Sequence, residues 1–356
     1  MKKRNPSIFP FSFFIFHLSF FICLLSFFTF LSSCRKSTDP ISINAGPDTT
    51  SHNFIWTADT IYAEDTYQIY LYDIWGTDEN NVWAVGHSDL TRYRIWHYDG
   101  TSWKNVYVPA IYHVPTYSEI FGFSENDFWV VGHGVKTNID TAVGYILHYD
   151  GEWHRMDNYD LPICVSVWGT SSDNMYFGCY GIIARYNGKK FIKYETGRDI
   201  QFRAIWGFND STVYIIGTET EKNGKYFAGF YEFRNNHIVL LDSSRHFEKG
   251  FGMDIWGYDM DNFYSAIDGV YKYNNGHWDN VFHSSTIYSI YGNAPNNVFA
   301  GGYRTGLFHY NGNVWKKIEN TPYSLGIWSI WCNEDYVFVI QDYDYYRIIL
   351  KGKMIQ

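Results

Sequence analysis

Short runs of aromatic and β-branched residues recur along most of the chain, and clusters of polar turn-forming residues separate them. Six runs end in an aromatic residue followed by glycine, and a seventh ends in Trp331-Cys332. The six pairs are Trp75-Gly76, Phe121-Gly122, Trp168-Gly169, Trp206-Gly207, Trp256-Gly257 and Tyr291-Gly292. Successive copies are 35 to 50 residues apart. This spacing is typical of repeats that each form one small β-sheet.

Every copy continues in the same order after its aromatic residue. A polar turn comes first, and a second apolar run such as Val82–Gly86 follows it. A third run ends in Tyr-Asp-Gly or Tyr-Asn-Gly, as at 98–100, 149–151 and 310–312. These endings are strong hairpin signals because Asp, Asn and Gly tolerate positive φ. A fourth run usually opens with tryptophan: Trp103, Trp153, Trp278 and Trp315. Each repeat is therefore predicted to be a four-stranded antiparallel meander.

Seven such meanders predict an all-β fold, a β-propeller of seven four-stranded blades. One meander cannot bury its faces alone, whereas blades arranged around an axis pack their side chains against each other. The recurring tryptophans are accordingly predicted to pack between blades. The histidines at one repeat position, His97, His148 and His309, are predicted to be structural.

The seventh repeat predicts only three strands, at 327–331, 336–340 and 346–350, and two segments compete for its fourth. Residues 53–56 near the amino terminus look like an unpaired outer strand with its tryptophan. Pairing of this segment with the last blade would lock the ring. The alternative is that residues 353–356 complete the blade.

The repeat resembles kelch-like and related propeller repeats through Gly86, Tyr98-Asp99-Gly100, Trp103 and their copies. The resemblance covers nearly all of residues 53–356. Kelch units usually carry a double glycine, however, and only Gly301-Gly302 provides one here. The chain also looks like propeller lipoproteins of bacteria that carry many surface lipoproteins, a group whose function is not established. Neither resemblance implies a catalytic residue.

The amino-terminal 33 residues read as a lipoprotein signal peptide. Lys2, Lys3 and Arg4 precede an apolar stretch that ends at Leu31-Ser32-Ser33-Cys34, a secretory pattern with small residues before the cleavage point. The last four residues resemble the bacterial lipobox, which implies acylation of Cys34 and a lipid anchor. The alternative is an uncleaved anchor helix, because the stretch is long enough to span a bilayer.

The predicted organisation is therefore a signal peptide at 1–33, a flexible tether at 34–51 rich in Ser, Thr, Pro, Asp and Gly, and the propeller at 52–356. The predicted location is the cell envelope, with the lipid in the outer membrane on the periplasmic side or at the cell surface.

The net charge of the chain argues against one class of partner. The net charge is −9, and the leader holds three basic residues and no acidic one. An acidic extracytoplasmic chain argues against nucleic acid as a partner, since phosphate binding needs a basic surface.

Cys164 and Cys179 flank a predicted hairpin turn and are placed to face each other. A disulfide is compatible with the compartment, and two free buried thiols are equally compatible with the sequence. Cys332 is left unpaired.

No nucleophile elbow, phosphate loop, zinc or calcium motif is present in the sequence, so we expect no cofactor and no metal, and the balance is against an enzyme. Function tends to reside on loops, and blade-specific aromatic, histidine and arginine side chains are the candidates for ligand binding. The candidates are Tyr107, Tyr112, His113 and Tyr117 on the predicted loop 105–118, with His87, His133, Tyr159 and Arg304 nearby.

Three functions are compatible with these observations. The first is a binding module that uses loops on one propeller face to hold a glycan or a protein, because exposed tyrosine suits both. The second is an extracytoplasmic carbohydrate-active enzyme, a hydrolase or lyase, which for hydrolases needs converging carboxylates. The third is a scaffold subunit of an envelope complex, for which a large apolar patch would be expected.

Overall fold

The structure, a computed structural model, describes residues 49–109, 113–136, 141–156, 161–244, 251–322, 326–343 and 345–355. Residues from Pro47 to Gln356 form one compact unit. It contains seven separate four-stranded sheets, which confirms the predicted seven-bladed β-propeller. Within the described ranges, no helix has the length and apolar character needed to cross a membrane.

Blades 1 to 6 each consist of four consecutive antiparallel strands, and the first strand of each is the innermost. Blade 1 contains β2 (Ile69–Asp78), β3 (Asn81–Ser88), β4 (Ile95–Tyr98) and β5 (Trp103–Asn105). Blade 2 contains β6 (His113–Ser124), β7 (Asp127–Lys136), β8 (Thr141–Tyr149) and β9 (Trp153–Arg155). Blade 3 contains β10 (Cys164–Ser171), β11 (Asn174–Cys179), β12 (Ile182–Tyr186) and β13 (Phe191–Glu195).

The second half of the ring repeats this plan. Blade 4 contains β14 (Asp199–Asn209), β15 (Thr212–Thr220), β16 (Tyr226–Arg234) and β17 (His237–Ser244). Blade 5 contains β18 (Asp254–Gly257), a 3₁₀ turn (Met260–Asn262), β19 (Phe263–Ala266), β20 (Gly269–Asn274) and β21 (His277–His283). Blade 6 contains β22 (Ile287–Ala294), β23 (Asn297–Gly302), β24 (Gly306–Tyr310) and β25 (Trp315–Lys317).

Blade 7 joins the two ends of the chain. Its strands are β26 (Ile327–Cys332), β27 (Tyr336–Tyr343), β28 (Tyr346–Ile355) and β1 (Asn53–Ile61). β1 pairs with β28 over its whole length, from Asn53 opposite Ile355 to Ile61 opposite Arg347. The amino-terminal segment therefore closes the ring, as the first of the two alternatives predicted. The end of the chain forms the last part of the third strand rather than a fourth.

The two ends of the propeller are distinguished by their loops. We call upper the face that carries the connections from each fourth strand to the next blade and from each second strand to the third. The lower face carries the remaining turns and the start of β1. Because the first strand of each blade runs from the upper to the lower face, position along that strand measures depth in the central channel.

One cross-strand pair recurs in the blades and explains the repeated histidines. Trp83 stacks on His97 with ring centroids 4.1 Å apart, Trp129 stacks on His148 at 4.2 Å, and Phe299 stacks on His309 at 4.4 Å. In each case the histidine Nε2 bonds to the Asn or Asp that opens the second strand, at 2.7 to 3.0 Å. These histidines are therefore structural, as predicted.

The repeated tryptophans pack between blades, as predicted. Trp278 of blade 5 lies 5.1 Å from the ring of Phe230 in blade 4. Trp153 of blade 2 lies 5.9 Å from Trp83 in blade 1. Such aromatic contacts bury large apolar areas and favour edge-on geometry. Packing of this kind joins sheets that share no backbone ladder.

Cys164 and Cys179 form a disulfide across β10 and β11, where they are directly opposite each other. Both are buried. The structure thus decides between the two alternatives that the sequence leaves open. Cys332 is buried without a disulfide partner, and burial raises the pKa of its thiol.

Candidate functional site

The innermost strands surround a central cavity of about 170 Å³. Six of these strands carry a β-bulge at one shared position, three residues before the aromatic of each repeat. A bulge bends the strand and re-aims the side chain at that point. The six bulged residues all line the cavity: Tyr72, Ser118, Val165, Arg203, Tyr288 and Trp328. They form the upper end of the channel, which we call the channel mouth.

Three bulged residues form a connected aromatic group at the mouth. Tyr288 and Trp328 lie with ring centroids 5.3 Å apart, and Tyr72 and Trp328 at 6.5 Å. All three side chains are partly exposed. We call them the aromatic platform. It occupies blades 6, 7 and 1, which are neighbours in the ring.

An ion pair between a buried arginine and a partly exposed aspartate holds the platform in place. The Arg347 Nη1 lies 2.9 Å from Asp342 Oδ1, and the Trp328 Nε1–H donates to the same oxygen at 2.7 Å. The Arg347 guanidinium also stacks over Tyr70, 4.5 Å from the ring centroid, and lies 5.5 Å from that of Trp328. A charge paired in this way beside an indole restricts its rotation. The orientation of Trp328 at the mouth is therefore held by its hydrogen bond to Asp342 and by the neighbouring guanidinium.

One level below the mouth, three acidic side chains line the cavity: Asp73, Glu119 and Asp254. They stand two residues before the repeat aromatic, where the other blades have serine or alanine. Each accepts a backbone N–H from the next blade. Ile120 donates to Asp73 at 2.8 Å, Val167 to Glu119 at 3.0 Å and Ile290 to Asp254 at 2.9 Å. The carboxylates thus join adjacent blades.

Enclosure by the protein raises the pKa of all three acids, although each keeps partial contact with the cavity. Desolvation raises the pKa of Asp73 to about 6 and that of Asp254 to about 7. Desolvation and the charges of Asp73 and Asp254 raise the pKa of Glu119 well above its usual value. The backbone N–H donors act in the opposite direction but do not offset the loss of water.

These shifts predict a pH-dependent stability. Because the folded ring binds the protons more tightly than the unfolded chain, the stabilisation is complete below about pH 4 and is lost as the pH rises through 6 to 7. In Asp254→Asn, which cannot ionise, the decline in melting temperature between pH 5 and pH 8 should be smaller than in the wild type. Asp261→Asn, a change at an exposed position, is the control. Parallel pH profiles for wild type and Asp254→Asn would contradict the prediction.

Aromatic side chains of the repeat narrow the lower end of the channel. Trp206 and Trp256 lie with centroids 6.3 Å apart, and Trp256 and Tyr291 at 6.2 Å. The Trp206 Nε1–H donates to the Gly257 carbonyl at 2.8 Å. Because these rings crowd the lower end, the mouth is the side from which a ligand is expected to approach.

Exposed tyrosines lie overwhelmingly on the upper face. Within the described part of the chain, eight tyrosines rank among the large apolar side chains most open to solvent, and seven of them are on upper-face loops or strand ends. These are Tyr62, Tyr67, Tyr107, Tyr180, Tyr226, Tyr303 and Tyr345, and Tyr67 reaches 88% exposure. Tyr258 alone of the eight lies on the lower face. The asymmetry distinguishes one face chemically.

The structure places the predicted binding residues in different environments, some exposed and some buried. Tyr107 and Arg304 are exposed on the upper face, and Arg304 adopts φ of 57° in the turn between β23 and β24. Tyr117 is buried and its ring packs 5.8 Å from Tyr145, because β6 begins at His113 and shortens the predicted loop 105–118. The predicted loop was too long, and Tyr117 does not face solvent.

Two predicted histidines come close together between blades 1 and 2. His87 Nδ1 lies 3.1 Å from Thr116 Oγ1. Burial lowers the pKa of His87 and that of His133, and the charge of His133 contributes to the shift at His87. His113 lies in β6, but its side chain is not among those that the structure describes. Tyr112, Tyr159 and the lipid-attachment residue Cys34 lie outside the described residues.

The sequence prediction did not identify the channel residues. The available signal was positional, since the mouth and the carboxylates occupy fixed offsets of three and two residues before the repeat aromatic. In the part of the chain that the structure describes, no three His, Cys, Asp or Glu side chains form a group that could hold a metal ion.

Comparison with known proteins identifies the fold. No family model matches the sequence, and no curated protein matches it. The extracellular domain of a putative hybrid two-component system from B. thetaiotaomicron superposes with a TM-score of 0.58 at 14% identity, over 83% of this chain and 39% of that one. A second structure of that extracellular domain, described as part of a one-component system, gives 0.57 at 14% identity over 82% and 39%.

The WD40 β-propeller domain of Doa1 superposes with a TM-score of 0.54 at 12% identity, over 86% of this chain and 97% of that one. The chain thus spans about two fifths of the length of the B. thetaiotaomicron structures. Likeness at these identities concerns architecture, and the kelch-like character of the repeat stays a prediction. What the comparisons establish is that this chain shares the β-propeller fold of extracellular and WD40 domains.

Proposed function

We propose that this chain is an extracytoplasmic, lipid-anchored binding module that holds a glycan on its upper face, over the channel mouth. The observation that carries the proposal is the concentration of exposed tyrosines on the face onto which the channel mouth and its aromatic platform open. Tyrosine offers a flat apolar ring with a hydroxyl at its edge, which suits the apolar face and hydroxyl rim of a sugar.

The shape of the mouth favours a sugar over a protein partner. Concave sites with apolar walls and a few polar groups suit small or narrow ligands. At the mouth, Trp328 and Tyr288 offer stacking surfaces, and Ser118 and Arg203 add hydrogen-bonding groups on the same rim. A sugar ring at this point would exchange water for aromatic contacts without moving the backbone.

The lipid anchor completes the proposal. The signal peptide of residues 1–33, cut before Cys34, implies an acylated mature amino terminus, on the periplasmic side of the outer membrane or at the cell surface. Two of the structural neighbours are extracellular domains, which agrees with a location outside the cytoplasm. The carboxylates of the channel are engaged by backbone N–H groups between blades, so they support a structural role rather than acid–base chemistry.

The test is a glycan-array screen of residues 47–356, the compact unit that contains the complete ring. Hits are then measured with Tyr288→Ala/Trp328→Ala. We expect the double variant to bind at least tenfold more weakly, about 1.4 kcal/mol, because both stacking surfaces are lost. Tyr258→Ala, which removes the exposed tyrosine of the lower face, should bind like the wild type.

Two further results bear on the proposal. Tyr288→Phe keeps the ring and should retain binding, which separates stacking from a loss of fold. Wild-type affinity in the double variant would show that the mouth is not the site. If no saccharide on the array binds, the glycan ligand is wrong, and pull-down from envelope extracts tests a protein partner instead.

A further inference from the structure

We infer that the glycan held by this face carries a carboxylate group and that Arg203 selects it. This inference rests on the proposed function and specifies its ligand class. Among the described residues that line the cavity, Arg203 is the single Arg, Lys or His. It stands at the bulge of blade 4, the same repeat position that supplies the platform in blades 6, 7 and 1.

Ring order places Arg203 opposite the platform. In a closed ring of seven blades, blade 4 faces the junction of blades 7 and 1, where Trp328 and Tyr72 stand. Ser118 of blade 2 and Val165 of blade 3 lie on the rim between them. A sugar stacked on the platform would thus direct its far edge towards Arg203. A carboxylate on that edge would meet the guanidinium.

The guanidinium is available for a ligand. Its side chain is exposed, and the Nε–H donates weakly to Thr218 Oγ1 at 3.4 Å. No carboxylate of the described residues lies within ion-pair distance of Arg203. Arg347, the other arginine near the mouth, is 3% exposed and paired with Asp342. Of these two arginines, both among the described residues, Arg203 is therefore the one that offers free N–H groups at the mouth.

The positive charge of Arg203 is the local feature that favours an anionic group at this position. The chain carries a net charge of −9, so an acidic glycan needs a local cation to bind. A guanidinium binds a carboxylate through two parallel hydrogen bonds, a geometry that lysine cannot reproduce. The channel acids lie one level deeper and already accept N–H groups from neighbouring blades. Arg203 is thus the group that a ligand carboxylate would meet first.

The test uses an array of uronic-acid oligosaccharides, each beside its carboxyl-reduced neutral counterpart. Wild-type residues 47–356 should bind acidic members at least tenfold more tightly than their neutral partners. Arg203→Gln should lose that preference while keeping its affinity for the neutral forms. Arg203→Lys should recover part of it, since the charge returns without the two-bond geometry.

Lys225→Gln is the matched control, because it removes one exposed positive charge from the upper-face turn of the same blade, away from the mouth. It should leave the acidic preference within about twofold of the wild type. Equal binding of acidic and neutral forms, or an unchanged preference in Arg203→Gln, would overturn the inference and leave the glycan proposal standing. Absence of binding to every saccharide would remove both.

Discussion

Replacing Phe54 with alanine is expected to lower the free energy of unfolding by about 3–5 kcal/mol, the usual cost of truncating a buried phenylalanine. Phe54 lies in β1 at 2% exposure, and its ring centroid is 5.7 Å from that of Phe299 and 5.6 Å from that of His309 in blade 6. It therefore fastens the ring-closing strand to the neighbouring blade. Chemical denaturation of residues 47–356 measures the effect.

The adjacent residue provides the control. Ile55 points outward from the same strand and is 59% exposed. Ile55→Ala should change the free energy of unfolding by no more than about 0.5 kcal/mol. If Phe54→Ala lowers the free energy of unfolding no more than Ile55→Ala does, the strand contributes through its backbone alone and Phe54 is not an anchor.

Gly302→Ala should destabilise the fold by about 3 kcal/mol, near the upper end of the range for overpacking. Gly302 faces Ile287, the residue that precedes the bulge of blade 6. A Cβ at this position would fall on the backbone carbonyl of Thr286, and a backbone atom inside a sheet cannot turn aside as a side chain can. Gly86 and Gly132 meet the carbonyls of Tyr70 and Thr116 in the same way.

Gly301 supplies a matched comparison one residue earlier in the same strand. Its Cβ would meet the side chain of Ile327 rather than backbone. Gly301→Ala should therefore cost about 1 kcal/mol, since a side chain can adjust its rotamer. Thermal unfolding of the two variants separates the effects. Equal melting temperatures of Gly302→Ala and Gly301→Ala would contradict the explanation that glycine recurs beside the bulge because a Cβ there would meet backbone.

The number and spacing of the blades could be predicted from the sequence because short local sequence signals mark the strand ends. Turn formers after Trp75 and its equivalents, and the Tyr-Asp-Gly hairpins, locate strand ends without reference to tertiary contacts. The tryptophan of residues 53–56 also sufficed to suggest the closing strand. The choice over residues 353–356 needed the structure, because both segments have strand character and only pairing with β28 distinguishes them.

The channel mouth was not predictable in the same way. Sequence reasoning assigns faces by strict alternation along a strand. The bulge before Asp73 and its equivalents breaks that alternation, so alternation alone does not assign Tyr72 and Trp328 to the mouth. Their fixed offset from the repeat aromatic identifies them only once the bulge is known. Tyr117 shows the converse error. It was assigned to a loop, but β6 extends further towards the upper face and buries it.

Under the proposed lipid attachment, the closing strand would also determine the direction in which the molecule is loaded. β1 starts at the lower face and runs towards the tyrosine-bearing face, with nine residues opposite β28. A ligand held above and an attachment upstream of Asn53 would pull along the axis of β1. The hydrogen bonds between antiparallel strands lie across that axis, so the whole ladder would resist the pull together in shear, rather than opening bond by bond from one end.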